Sequence, residues 1–155
     1  MDKYKDVKKL IEDILNNMGV RYDVIEESED LITQKKVFII KSPESGLLIG
    51  DNGETFQALS YLIRRMTDKG QEDKPDFSID VNDYKSSMIE KLKVKAGILA
   101  NRARDMKTSV EMEPMSSYER LIVHGTLSGQ PNIKTESIGE GKERRLVIKY
   151  VDSIV

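Results

Sequence analysis

The chain has 155 residues, 38% of them hydrophobic and 34% charged, with no Trp, no Cys and one His. Without cysteine there are no disulfides, no thiolate catalysis and no Cys-ligated metal, and a single histidine leaves out a His-rich metal site. No apolar run approaches the roughly 20 residues of a membrane span, and the polar start Met1-Asp2-Lys3-Tyr4-Lys5 is unlike a secretory leader; together these fit one ordinary domain or two small ones in a reducing cytosol.

The formal net charge of −2 does not announce a polyanion binder, but it is unevenly divided. Residues 1–82 hold 12 Lys/Arg against 17 Asp/Glu, a net −5, while residues 83–155 hold 13 against 10, a net +3. Anion binding is therefore expected in the C-terminal half, through a local patch and not a global field.

Residues 4–18 read as a helix whose apolar face is Val7, Leu10, Ile11, Ile14, Leu15 and Met18, closed by Gly19. Val20–Glu27 reads as a strand with Val20, Tyr22, Val24 and Glu26 to one side. Ser28-Glu29-Asp30 reads as a turn, and Lys36–Lys41 as a second strand ended by Ser42-Pro43. Leu47, Leu48 and Ile49 can anchor a short buried element before the tight corner Gly50-Asp51-Asn52-Gly53. Beyond it Phe56, Leu59, Leu62 or Ile63, and Met66 fall at helical spacing as far as about Thr67, with Lys69-Gly70 as the stop. Phe77–Val81 alternates like a half-buried strand.

A long helix follows over about Asp83–Lys107, striped by Tyr84, Met88, Leu92, Ala96, Leu99, Ala103 and Met106. Thr108–Glu113 reads as a short strand stopped by Pro114. Ser116 and Glu119 have the spacing of a capping box, opening a helix that turns Tyr118, Leu121, Ile122 and Leu127 inward and ends near Ser128-Gly129. Pro131–Ile138 and Arg144–Val151 read as two strands joined by the loop Gly139–Glu143.

Two stretches carry chemistry. Glycines at both ends of Gly50-Asp51-Asn52-Gly53 let a backbone approach a ligand, and the following helix aims its first N–H groups at the same place. That suits a nucleic-acid phosphate, with Gly50, Asn52 and Gly53 as the contacts, although a lone Gly-x-x-Gly is more often only a turn. Further on, Arg120 and His124 lie four apart on one helical face. A guanidinium offers planar donors to a phosphate and an imidazole adds one N–H, although a lone helical histidine is more often a satisfied structural residue. Lys142, Arg144 and Arg145, near the adjoining hairpin, extend the path.

Ile49-Gly50-Asp51-Asn52-Gly53 running into a helix resembles the loop of a KH domain, and the element order helix, strand, strand, short helix, helix, strand is that of the bacterial type II form. Glu113-Pro114-Met115-Ser116-Ser117-Tyr118-Glu119-Arg120-Leu121-Ile122-Val123-His124, with Thr135-Glu136-Ser137-Ile138-Gly139-Glu140-Gly141 and Arg144-Arg145-Leu146-Val147-Ile148, is similar to the small nucleic-acid-binding domain named for its Arg-x-x-x-His. One following the other is the arrangement of the bacterial Jag family, also called KhpB or EloR, and the resemblance runs from about residue 4 to residue 151.

It implies an α+β fold: a type II KH-like domain over 1–82, joined by the shared helix 83–107 to a small Arg-x-x-x-His domain over 83–155 with a three-stranded sheet. It also implies a non-catalytic, cytoplasmic protein without cofactor or metal that binds single-stranded RNA, with single-stranded DNA as the second ligand class. Post-transcriptional control or RNA chaperoning tied to cell elongation and division is implied too, as is a small single-KH partner or a homodimer, with no membrane insertion.

The chain departs from that pattern in places. The loop pair is Asp51-Asn52 where RNA-binding KH domains carry basic residues, and Leu121 stands where a basic residue is common. No counterpart of the extra N-terminal domain of many Jag proteins is present, so functions tied to that domain are not expected. Aromatic platforms are scarce, with three Phe and six Tyr, so contacts should fall on the backbone, with low sequence preference and strong salt dependence. The rival reading is a protein–protein adaptor whose acidic KH half pairs with another KH protein and binds RNA little. A nuclease would need His124 with Glu119, which sit roughly 140° apart around a helix of about 3.6 residues per turn.

Overall fold

The computed structural model describes residues 2–68, 70 and 72–152; Lys69, half of the expected helix stop, lies outside them. The chain divides into two compact units, Met1–Lys85 and Ser86–Val155. Moving the boundary from 82 to 85 transfers Asp83 and Lys85 together, so the −5 and +3 balances stand.

Helix α1 spans Lys3–Met18 because both ends are specified. The Asp2 carboxylate accepts the Tyr4 N–H at 3.2 Å, and Gly19 turns left-handed at φ 69°. The Gly19 and Val20 N–H groups then close on the Asn16 and Leu15 carbonyls, both at 3.1 Å, which tucks Val20 against the core. Val7, Ile11 and Leu15 are buried at spacing i, i+4, i+8. Met18, expected inside, is half-exposed in the last turn.

Strands β1 (Val24–Glu29), β2 (Lys36–Lys41) and β3 (Phe77–Val81) form a sheet of order β1-β2-β3, antiparallel then parallel. β1 starts four residues later than expected, because Val20 is used in closing α1. Its register sets Ile25 opposite Ile40, so Ile25 is buried and Val24 faces out, the reverse of the expected face. Ser28 and Glu29 belong to the strand. The turn begins at Asp30, whose carboxylate accepts the Ile32 and Thr33 N–H groups, both at 2.9 Å. β3 is not half-buried: all five residues are enclosed, including Ser78 and Asp80. Asp80 answers its burial by accepting the Val81 and Lys85 N–H groups at 2.7 and 2.8 Å, and burial pushes the Lys85 ammonium below the usual lysine range.

Helices α2 (Ser45–Ile49) and α3 (Glu54–Thr67) flank the glycine corner. Leu48 alone of the Leu47-Leu48-Ile49 run is fully enclosed, and Leu47 is exposed. On α3, Leu59 and Ile63 face the core, so the alternative Leu62 is the solvent-side residue. Phe38 and Phe77 meet edge to face with centroids 5.8 Å apart, at the centre of a core of long aliphatic side chains from α1, α2, α3 and the sheet.

The second unit holds most of α4 (Tyr84–Met106), with β4 (Val110–Glu111), α5 (Ser117–Leu127), β5 (Ile133–Ile138) and β6 (Arg145–Tyr150). Its sheet has order β4-β6-β5, antiparallel throughout. β4 is two residues long, not six. Met112 and Met115 continue the pairing irregularly, donating to the Leu146 and Arg144 carbonyls at 2.9 and 3.1 Å on either side of Pro114. Ala96, Ala100 and Ala103 line the buried side of α4, against Val123, Leu127, Ile133, Leu146 and Ile148. Met106, expected in that stripe, is exposed, and so is half of Leu121. Val123, fully enclosed, takes the inward place expected of Leu121.

Candidate nucleic-acid interface

Helix α5 is built to fix Arg120 and His124. Ser116 and Glu119 form a complete capping box: Ser116 Oγ accepts the Glu119 N–H at 3.2 Å, and the Glu119 carboxylate accepts the Ser116 N–H at 2.7 Å. That closes the first turn. Arg120 bends back toward it, its Nη1 donating to the Met115 carbonyl at 2.7 Å and its Nη2 to Ser117 Oγ at 3.0 Å. Those two bonds orient the fork and leave more than half of its five N–H donors for a ligand.

His124 lies one turn on and is exposed. Its Nδ1 is 2.6 Å from Thr135 Oγ1 on β5, which fixes the ring and leaves Nε2 unused by that contact. Two residues further along β5, Ser137 Oγ accepts the Nε–H of Arg144 at 3.0 Å. Residues two apart on a strand share a face, so Thr135 and Ser137 hold His124 and Arg144 on the same side of the sheet. Lys142 is exposed in the short 3₁₀ turn Gly141–Glu143 of the hairpin.

Arg145 goes elsewhere. It pairs with Ile138 in the β5–β6 ladder, so it points to the opposite face from Thr135 and Ser137. Its Nε donates to the Glu111 carboxylate at 2.9 Å and its Nη1 to the Glu143 carbonyl at 3.2 Å. Lys149 and Glu136 pair on that same face.

The glycine corner belongs to the first unit. Gly50 (φ 71°) and Gly53 (φ 76°) are left-handed, with Asn52 at φ 51° between them. A Cβ on Gly50 would lie 2.2 Å from Thr55 Oγ1, and one on Gly53 2.9 Å from the Tyr84 hydroxyl. The Gly50 N–H donates to the Gly46 carbonyl at 3.0 Å and the Gly53 N–H to the Gly50 carbonyl at 3.4 Å. Both glycine N–H groups thus have partners, in α2 and in the corner itself, and Gly53 is buried. What the loop presents to solvent is Asp51 and Asn52. Tyr84, which roofs Gly53, stacks edge to face on Phe56 at 5.8 Å.

Sequence reasoning misses Ser117, Thr135 and Ser137, the three hydroxyls that hold Arg120, His124 and Arg144. Their signal is present as polar residues at alternate positions 135 and 137 of a strand, but periodicity does not say which side chain a hydroxyl holds.

The family model of the Arg-x-x-x-His domain matches residues 90–150, a span that includes Arg120, His124, Thr135 and Arg144. RNA-binding protein KhpB of Bacillus subtilis (strain 168) is 33% identical over 153 residues, covering 97% of this chain and 72% of that protein. RNA-binding protein KhpB of Clostridium symbiosum is 30% identical over 141 residues, covering 90% of this chain and 63% of that protein. For RNA-binding protein KhpB of Lactiplantibacillus plantarum the figures are 30% over 135 residues, 87% and 41%. The chain therefore spans only part of the length of each of these relatives. With the capped α5 helix, its Arg120–His124 pair and this degree of identity over almost its whole length, the chain belongs to the KhpB family.

Proposed function

We propose that this chain binds single-stranded RNA, without catalysis, on the α5–β5 side of its second unit. The observation that carries the reading is the pair Arg120 and His124, four apart on a capped helix, each anchored by a neighbouring protein group with donors left over. Arg144 and Lys142 prolong the donor row. Arg145, paired with Glu111 on the other face, stands outside it. The name shared by the relatives and the +3 balance of this unit support the same ligand. The Glu119 carboxylate is used as a cap, which speaks against its service as an acid–base partner for His124.

The first unit is read as a type II KH domain on its element order and its glycine corner. With both glycine N–H groups internally bonded and Asp51 at the exposed tip, it contributes little phosphate binding. Its role is pairing, with a small single-KH protein or a second copy. Post-transcriptional control or RNA chaperoning, tied to cell elongation and division in the cytoplasm, completes the proposal. The adaptor reading rests on Asp51 and the −5 balance, and differs in predicting no RNA complex.

The test is fluorescence anisotropy with a labelled single-stranded RNA of about a dozen nucleotides, at two salt concentrations, beside size exclusion with light scattering. Wild type should bind, more weakly at higher salt, and Arg120→Ala should weaken all sequences alike and lower the salt slope by about one. An RNA-indifferent protein that pairs only with a KH partner would favour the adaptor.

A further inference from the structure

We propose that Thr135 is the positioning residue that makes the neutral imidazole of His124 a hydrogen-bond donor toward nucleic acid, by bonding its Nδ1 and so placing the ring proton on the outward Nε2. The proposal rests on the reading of α5 as an RNA-binding helix and assigns a role to a residue of β5 that touches no ligand itself.

A neutral imidazole carries one donor and one acceptor, and the bond made by one nitrogen fixes the role of the other. Thr135 Oγ1 lies 2.6 Å from Nδ1, and a threonine hydroxyl can donate as well as accept. When it donates, Nδ1 accepts and the proton sits on Nε2, facing a phosphate oxygen as a donor. The opposite tautomer would turn a lone pair toward that oxygen and repel it. With the clamp, the ring grips phosphate whether or not it is protonated. Without it, the ring reorients and a favourable contact depends on the imidazolium.

The charged groups on the elements around the ring are few. On α5 the neighbours are Arg120, one turn away, whose guanidinium bonds Met115 and Ser117, and Glu119, whose carboxylate caps the Ser116 N–H. On β5, Lys134 and Glu136 alternate to the other face of the sheet, and Ser137 on the Thr135 face holds Arg144. Lys142 is exposed in the hairpin turn. The residues of α4 packed in this core are Ala96, Ala100 and Ala103, which carry no charge.

Because the chain has one histidine, a long-range ¹H–¹⁵N correlation spectrum of the tag-free chain reads this ring without ambiguity. At a pH where the ring is neutral, wild type should give the Nε2–H pattern and Thr135→Val an averaged one. In anisotropy with the same RNA across the window in which an imidazole titrates, wild type should lose little affinity as pH rises. Thr135→Val should fall by about fivefold relative to wild type at the alkaline end, the size of one hydrogen bond, and approach it at the acid end. Thr135→Ser should restore the wild-type profile.

An Nδ1–H pattern in wild type overturns the proposal, as does a Thr135→Val profile parallel to that of wild type, which would reduce Thr135 to packing. If His124→Ala binds RNA as well as wild type, the α5 site reading is what fails, and the spectrum still reports separately on the clamp.

Discussion

The glycine corner of the first unit and the α5 face of the second use their hydrogen bonds in opposite directions. At the corner, the Gly50 and Gly53 N–H groups are bonded to the Gly46 and Gly50 carbonyls, and Thr55 and Tyr84 leave no room for a Cβ on either glycine. At α5, the inward bonds belong to Ser117, Thr135, Ser137 and the Met115 carbonyl. Each holds a guanidinium or the imidazole by some of its nitrogens and leaves the others unused by that contact. The net −5 and +3 balances run the same way. The two stretches thus differ in where these hydrogen-bonding groups point once the fold has taken its share.

The sharpest way to break this comparison is to remove Arg120 and His124 together. Arg120→Ala with His124→Ala should cost about 3 kcal/mol of RNA affinity, roughly 100-fold, for one charged and one neutral hydrogen bond. Anisotropy titration, with circular dichroism melting as the folding control, reads it; a loss below threefold would place the binding elsewhere.

Next in size is the corner. Gly50→Ala must push Thr55 aside and adopt a left-handed φ, at a cost of about 2–3 kcal/mol of stability in urea unfolding. Gly53→Ala, against the Tyr84 hydroxyl, should cost somewhat less. For the same reason a Gly53→Asp substitution is a fold variant and not a binding probe. RNA affinity per folded molecule should stay within about twofold in the alanine variants, and a selective loss of binding with stability intact would show that the corner touches RNA.

Ser116→Ala removes half of the capping box and should lower stability by about 1 kcal/mol. Its effect on RNA binding should be small and follow from a looser Arg120; unchanged stability would contradict the role given to the cap. Smallest is Asp51→Lys. If the corner lies off the RNA path, affinity and salt slope should barely move. A salt slope steeper by about 0.7, the increment for one phosphate on a single strand, would put the corner on the path.

Much of this molecule is legible in its sequence where a boundary has a chemical marker. β2 and β3 are found at the residues expected, α1 ends at Gly19, α3 begins after Gly53, and the Ser116–Glu119 box opens α5. Faces are harder. Leu121-Ile122-Val123 are three consecutive apolar residues, and it takes the fold to show that Val123 packs with Leu127 and Ile133 and that Ile122 is buried too, while Leu121 stays half-exposed. Val24 and Ile25 pose the same ambiguity on β1, settled by the pairing of Ile25 with Ile40. On α4 the expected stripe takes Leu99, three residues after Ala96, whereas the fold fully encloses Ala100, four residues after it, and leaves Leu99 partly buried. At the site, spacing alone suffices to place Arg120 and His124 on one face. It cannot reveal that Thr135, eleven residues on, returns across the sheet edge to hold the ring, nor that strand alternation sends Arg145 to the other face while Arg144 stays.

Amide-shift mapping of the ¹⁵N-labelled full chain, titrated with the same single-stranded RNA, tests the central claim most directly. If RNA lies along α5 and β5, residues 115–124, 135–137 and 142–144 should shift, with residues 46–56 nearly still. Perturbations centred on 46–56, with the α5 residues unmoved, would contradict it.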